Sequence, residues 1–390
     1  MVDHYKDIVT PNGSVIKYKE MNKDLFLNKT SNLFGDSGTG KSVLLNEIMH
    51  SLFGHIPLVF IWSPTANVDK DCDLTSFTPS PFIFESLKIS KIKQIMDFNE
   101  IRKMYKSFSY DNKVLLSILN KTKHTFINDK KKFLNEYLNK INLLSQKAKN
   151  LKEGNEQLKS IKKTIISLYR VIIEYNYKMI RAYVNKYKDR FKEEEVLAIQ
   201  YFKTNIEICL IFNDCGNELK SIKDKSKDSE IIKNLYTKGR HFHLTVFNLF
   251  QSKEQASETI ISNAHLTFFT DKTSSSGFFR KRNHSKETQR KNTEICDYVL
   301  SEKFKEKHYK ILYCKSDQGT GLYYVHSKHL QTFKFAENKI WEVLKNKEIG
   351  KEERISSDNV FKNQLKRTKE NKENKNRENK LQFKTIPFTK

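Results

Sequence analysis

The stretch "NLFGDSGTGKSVLLNEIMHSLFG", residues 32–54, constrains the fold more than any other segment of this chain. Its centre, "GDSGTGKS", matches GxxxxGK[ST] at every fixed position, with Gly35, Gly40, Lys41 and Ser42. Glycines let successive backbone N–H groups converge on phosphate oxygens, and the helix that follows directs its positive dipole end at the same anion. Such a loop works only between a strand and a helix. Both flanks are present: a short lead-in of Asn32, Leu33 and Phe34, and the amphipathic run "SVLLNEIMHSLF". The predicted cradle is Gly35, Asp36, Ser37, Gly38, Thr39, Gly40, Lys41 and Ser42. In it Lys41 reaches the β and γ phosphates and Ser42 supplies a hydroxyl to Mg2+. ATP and Mg2+ are the expected cofactors.

Apolar runs that read as buried strands recur along the chain: "LVFIW" (58–62), "ICLIF" (208–212), "LTVFNLF" (244–250), "HLTFFT" (265–270), "YKILYC" (309–314) and "GLYYV" (321–325). Helical patterns separate them, which predicts an α/β fold with a mostly parallel sheet and helices on both faces. A P-loop also needs a carboxylate at the end of a neighbouring strand to hold the Mg2+ shell. "ICLIFNDCGNE" offers Asn213 and Asp214 there. Two arrangements are open. Either Asn213 is a neutral ligand for a metal-bound water and Asp214 polarises the attacking water, or the strand ends one residue later, Asp214 takes the metal position and Glu218 is the base. The next strand ends in Gln251, an amide placed to sense the γ-phosphate. His241 and His243 alternate with apolar residues at a strand start and are read as structural.

The charge of the chain is unevenly placed. The 390 residues carry a formal net charge of +25, and residues 100–192 alone hold 23 Lys and Arg against 8 Asp and Glu. An AT-rich genome enriches Lys, Asn and Ile everywhere, which accounts for much of the lysine but not for its excess over acid. That excess implies a polyanionic partner. The segment shows apolar residues at three- and four-residue spacing (Ile161, Ile165, Leu168, Ile172, Tyr175, Met179) and no proline, so it reads as long amphipathic helices broken near 153–157. The predicted organisation is an N-terminal core part (1–85), a basic helical insertion (86–200), a C-terminal core part (201–340) and a basic, disordered tail (341–390). Five scattered cysteines without a CxxC pair support neither a disulfide framework nor a zinc site. No apolar run reaches eighteen residues and no secretory signal opens the sequence, which predicts an intracellular protein without a membrane partner.

The P-loop, "FIWSPTANVD", the acidic strand, "LYTKGRHFHLTVFNLFQS" and "ISNAHLTFFTD" together resemble the viral genome-packaging ATPases of the FtsK/HerA superfamily, in the poxvirus-type branch found also in virophages and Polinton-like elements. The resemblance covers about residues 28–80 and 200–330. It implies a RecA-like core of the ASCE type, a hexameric ring of copies of the chain, and ATP-driven pumping of double-stranded DNA into a preformed capsid. Capsid or portal-vertex proteins are then partners, and the location is the viral assembly site in the host cell or the virion. Relatives often carry Arg where Ile261 stands, so Arg240 is the first choice for an arginine finger acting across a subunit boundary. The alternatives are a cellular or conjugative DNA pump of the same superfamily and a nucleic-acid-binding scaffold with a degenerate ATPase core.

Overall fold

The computed structural model of the chain describes residues 6–65, 74–280, 285–317, 321–328, 330–331 and 333–342. The expected basic tail lies almost wholly outside the described residues, as does Cys72. Two compact units divide the chain, residues 1–98 with 206–390 and residues 99–205.

The first unit is built on one sheet. Its strands are β1 (Ile8–Val9), β2 (Val15–Tyr18), β3 (Thr30–Phe34), β4 (Leu58–Trp62), β5 (Ile83–Phe84), β6 (Ile208–Asn213), β7 (Leu244–Phe250), β8 (Leu266–Phe269), β9 (Tyr309–Cys314) and β10 (Leu322–His326). They lie in the order β1-β2-β10-β9-β8-β3-β7-β6-β4-β5. From β8 to β5 every neighbouring pair is parallel, whereas β9 is antiparallel to both β8 and β10. All six apolar runs picked out in the sequence are strands, and the mostly parallel α/β fold is the one expected. β7 stands between β3, which leads into the P-loop, and β6, which carries Asn213. This interposed strand is the ASCE order.

Strand residues alternate between two covered faces. On one face Leu33, Val59, Ile61, Cys209, Ile211, Phe247, Leu249, Leu266 and Phe268 pack with Leu44, Leu45, Ile48, Met49 and Leu52 of helix Lys41–Leu52. On the other, Phe34, Phe60, Trp62, Leu210, Phe212, Val246, Phe250 and Phe269 pack with apolar residues of helices Lys227–Lys238, Lys272–Arg280 and Lys286–Val299. Burial on both sides explains why these strands read as continuous apolar runs. Ile89, Ile92, Ile95 and Met96 join the same cluster, so the first turns of helix Ile89–Phe108 belong to the sheet and the division between units falls inside that helix.

One polar chain crosses this apolar interior. Asn32 on β3 and Asn248 on β7 are register partners, and Asn248 Nδ2 donates to Asn32 Oδ1 (2.8 Å) while Tyr236 Oη donates to Asn248 Oδ1 (2.7 Å). Both asparagines are fully buried. A slip of one residue between β3 and β7 would leave these groups unpaired in the core, so the chain fixes the register of the strand that delivers the P-loop.

The second unit, residues 99–205, has its own core of helices Asn112–Thr122, Asn128–Lys149, Glu156–Tyr175, Tyr177–Lys186 and Glu193–Tyr201. Leu115, Ile118, Leu119, Ile165, Ile172, Ile173, Ile180, Val184 and Ile199 fill it. Asp111 and Asn155 cap two helix starts through their side chains, as residues of their type do. Glu195, only 2% exposed, accepts from Lys121 Nζ (2.6 Å) and Ser117 Oγ (2.5 Å). Lys106 Nζ donates to the terminal carbonyls of Tyr201 (2.9 Å) and Phe202 (2.6 Å), and burial, with Arg170 nearby, brings its pKa down to about 8. Among the described residues no helix is long and apolar enough to cross a membrane.

Tyr236→Phe removes the donor to a buried amide and is expected to lower unfolding stability by about 1–3 kcal/mol. Urea denaturation followed through the buried Trp62 measures it. Tyr110→Phe, at a ring 49% exposed in the second unit, is the control, expected within about 0.5 kcal/mol of wild type.

Candidate nucleotide site

Parallel strands bring their carboxyl ends to one edge of the sheet, where α/β folds bind ligands. Gly35 follows β3, Ser63 follows β4, Asn213 ends β6 with Asp214 after it, Gln251 follows β7 and Thr270 follows β8. Strand alternation puts residues 63, 213, 251 and 270 on the face covered by helix Lys41–Leu52, since 61, 211, 249 and 268 pack there. Contacts of residues 63, 213 and 270 agree with this placement. Asn213 Nδ2 donates to Ser63 Oγ (3.1 Å), and the hydroxyls of Thr39 and Thr270 are 2.5 Å apart.

The loop itself is clamped from several sides. Gly35 N donates to Phe250 O (3.1 Å), Asp36 N to Asp271 Oδ2 (2.8 Å) and Thr39 Oγ1 to Asp36 O (2.8 Å). Lys41 Nζ donates to Gly35 O (2.6 Å) and Asp36 O (2.9 Å), so the ammonium lies in the bend of the loop. Gly35 is required by space: a Cβ there would overlap the Thr270 hydroxyl and lie 2.6 Å from Thr39 Oγ1 and 2.9 Å from Asp271 Oδ2. Gly40 is required by conformation, because it caps helix Lys41–Leu52 with φ 91. Ser42 sits in the first turn of that helix.

β6 runs to Asn213, which is 5% exposed, and Asp214 follows it with φ 54 and its N–H donating to Leu249 O (3.3 Å). With Nδ2 given to Ser63, Oδ1 is the atom of Asn213 that can accept from a metal-bound water. Glu218 Oε2 accepts from Leu87 N (3.2 Å), which ties it to the loop after β5. Among the described residues no group of three or more His, Cys, Asp or Glu could hold a metal. This donor set suits Mg2+ carried by nucleotide phosphates, which needs only one or two protein oxygens besides its waters. The oxygens the sequence offers for it are those of Ser42, in the first turn of helix Lys41–Leu52, and of Asn213 and Asp214 at the end of β6.

Gln251 leaves β7 next to the start of the P-loop, and its N–H donates to Gln255 Oε1 (2.8 Å). Arg240 is elsewhere. It lies exposed in the turn Gly239–Phe242 before β7, at the amino edge of the sheet, a strand length of roughly 20 Å from the P-loop edge. His243 pairs with Glu207 (2.8 Å) and serves the same distant edge. Three residues that sequence reasoning did not single out join the site: Thr270 and Asp271 behind the loop, and Lys310 of β9, whose Nζ donates to Thr39 O (2.8 Å). The polar "TD" ending "HLTFFTD" was a signal for the first two, whereas only the pairing of β9 with β8 brings Lys310 there.

No family model matches the chain. It is similar to the uncharacterized protein B354L of African swine fever virus, at 23% identity over 320 residues in isolate Pig/Kenya/KEN-50/1950 (80% of this chain, 85% of the relative). In isolate Tick/Malawi/Lil 20-1/1983 the identity is 23% over 348 residues (87% and 93%). Among solved structures, it is similar to the genome packaging NTPase B204 from Sulfolobus turreted icosahedral virus 2 in complex with AMPPCP, at 12% identity, 78% of this chain, 98% of that chain and a TM-score of 0.34. The pCW3 conjugation coupling protein TcpA, with ATPγS, matches at 12% identity, 88% of this chain, 70% of that chain and a TM-score of 0.32.

Gly35→Ala places a methyl group against three side chains and is expected to destabilise the protein by about 1–3 kcal/mol. Gly277→Ala, in helix Lys272–Arg280 with open space around the position, is expected to stabilise it by about 0.5–1 kcal/mol. Thermal unfolding of the two variants checks the opposite signs.

Proposed function

We propose that the chain is an ATP-driven double-stranded DNA translocase that packages a viral genome into a preformed capsid. The observation that carries this reading is the P-loop of residues 35–42 at the carboxyl edge of a parallel sheet, with Gln251 on the adjacent strand end and Asn213–Asp214 on the one beyond. Mg2+ held with the nucleotide by Ser42, Asn213 and Asp214 would supply positive charge against the charge that develops on the phosphates. In this reading Lys41 and the loop N–H groups hold the phosphates, and the Ser42 hydroxyl and Asn213 Oδ1 meet the metal and its water. Asp214 takes the proton of the attacking water. Gln251 senses the γ-phosphate across the β3–β7 boundary. A site that orients water with a carboxylate and stabilises the leaving phosphate with cations has the parts that phosphoryl transfer needs.

Arg240 is too far from its own P-loop to serve it, which supports a role in a neighbouring copy within a hexameric ring. Unit 99–205, with 24 Lys and Arg against 11 Asp and Glu, supplies a phosphate-neutralising surface for duplex DNA of any sequence. Similarity to African swine fever virus proteins over most of the chain supports the viral setting, with capsid or portal-vertex proteins as docking partners at the assembly site. A second reading is favoured by one residue. Asn213 adds no negative charge at the metal position, as a nucleic-acid-binding scaffold with a degenerate ATPase core would have it. ATP turnover by the purified chain, measured with and without duplex DNA, separates the two, because only the motor hydrolyses faster on DNA.

Lys41→Ala is expected to abolish turnover, and Asp214→Ala to cost roughly 10²–10³-fold while Asn213→Ala costs less, since only a carboxylate can act as the base. Steady-state ATPase assays rank the three; equal, mild losses at 213 and 214 contradict the assigned roles. Replacing the whole unit, residues 99–205, with a short Gly/Ser bridge is expected to leave ATP binding intact and flatten the salt dependence of DNA binding by about 0.9 per lost phosphate contact. Binding titrations at several salt concentrations give the slope.

A further inference from the structure

Two lysines grip the P-loop, and only Lys41 belongs to the motif. Lys310 arrives from β9, the first antiparallel strand beside the parallel set, and is half-buried. Its Nζ donates to Thr39 O (2.8 Å) and lies 3.4 Å from where a Cβ on Gly40 would sit. Burial draws its pKa down, and the carboxylate of Asp271 opposes that shift. Asp271 in turn accepts the Asp36 N–H (2.8 Å) and Ser274 N (2.8 Å). The loop is thus held by one cation on a carbonyl and one carboxylate on an N–H.

A trans peptide points its C=O and N–H in opposite directions. With the Thr39 carbonyl drawn to Lys310, the Gly40 N–H of the same peptide points away from that lysine. A charged donor on the carbonyl also polarises the peptide and makes that N–H a stronger donor. We infer that Lys310 is a positioning residue of the nucleotide site, bracing the Thr39–Gly40 peptide so that its N–H is presented to the phosphates of a nucleoside di- or triphosphate. The inference rests on the P-loop reading above and adds to it a cation outside the motif. Holding a ground-state phosphate contact changes binding more than chemistry.

The test uses the full chain, with mant-ADP and mant-ATP as probes and steady-state ATP hydrolysis. Lys310→Met is expected to weaken both mant-nucleotides and raise KM by roughly tenfold, the low end of one charge-assisted hydrogen bond, with kcat within about twofold. Lys310→Arg, which keeps charge and donor, is expected to restore most of the affinity, and Lys310→Gln, a neutral donor, to fall between. Wild-type affinity in Lys310→Met overturns the inference, and so does a loss that Arg does not rescue, since that would mark a packing role. If Lys310→Met does not fold, Gln against Arg decides in the same way: equal affinities overturn it. Wild-type protein that binds no mant-nucleotide removes the P-loop reading itself, and this inference with it.

Discussion

The hydrogen-bond ladder of the parallel sheet does not stop where the P-loop begins. Thr270 N donates to Phe34 O (3.0 Å) from one side, and Gly35 N donates to Phe250 O (3.1 Å) on the other. The first residue of the loop is therefore held between the ends of β8 and β7 by the same bonds that make the sheet. That clamp leaves no room for a side chain at position 35, where the Thr39, Thr270 and Asp271 side chains converge. It also fixes where Ser63, Asn213, Gln251 and Thr270 can stand, because each ends or directly follows a strand of known register.

Register is thus the quantity the interior must protect. Shifting β3 by one residue against β7 would exchange the two faces of the strand and carry the loop away from Gln251. An apolar ladder alone would specify this through packing. The Asn32–Asn248–Tyr236 chain adds a penalty specific to the wrong pairing, because displaced amides would lose their partners in a medium that offers no water.

The charge of the molecule is concentrated in a unit that does not share this constraint. Residues 99–205 close their own core and satisfy their own buried carboxylate, Glu195, with Lys121 and Ser117. Their surface lysines can vary in number and position without disturbing the sheet's register. A chain organised in this way separates the demands of precise phosphate geometry from those of diffuse attraction to a polyanion.

Several features were determined by the sequence alone. GxxxxGK[ST] between a strand and a helix identifies a phosphate cradle because local backbone geometry creates it, and continuous apolar runs identify doubly covered strands because both their faces must be dry. The helical character of the basic segment followed from periodicity, which is also local. Tertiary structure decided what depends on strand order. β6 extends through Asn213, which places Asn213 rather than Asp214 in strand alternation with the face of helix Lys41–Leu52. Arg240 and Gln251, eleven residues apart, fall at opposite edges of the sheet because one precedes β7 and the other follows it. Lys310, 271 residues from Thr39, reaches the loop because β9 turns back along β8. Pairing between distant strands obeys hydrogen-bond register and packing across the whole sheet, and no window of sequence contains that information.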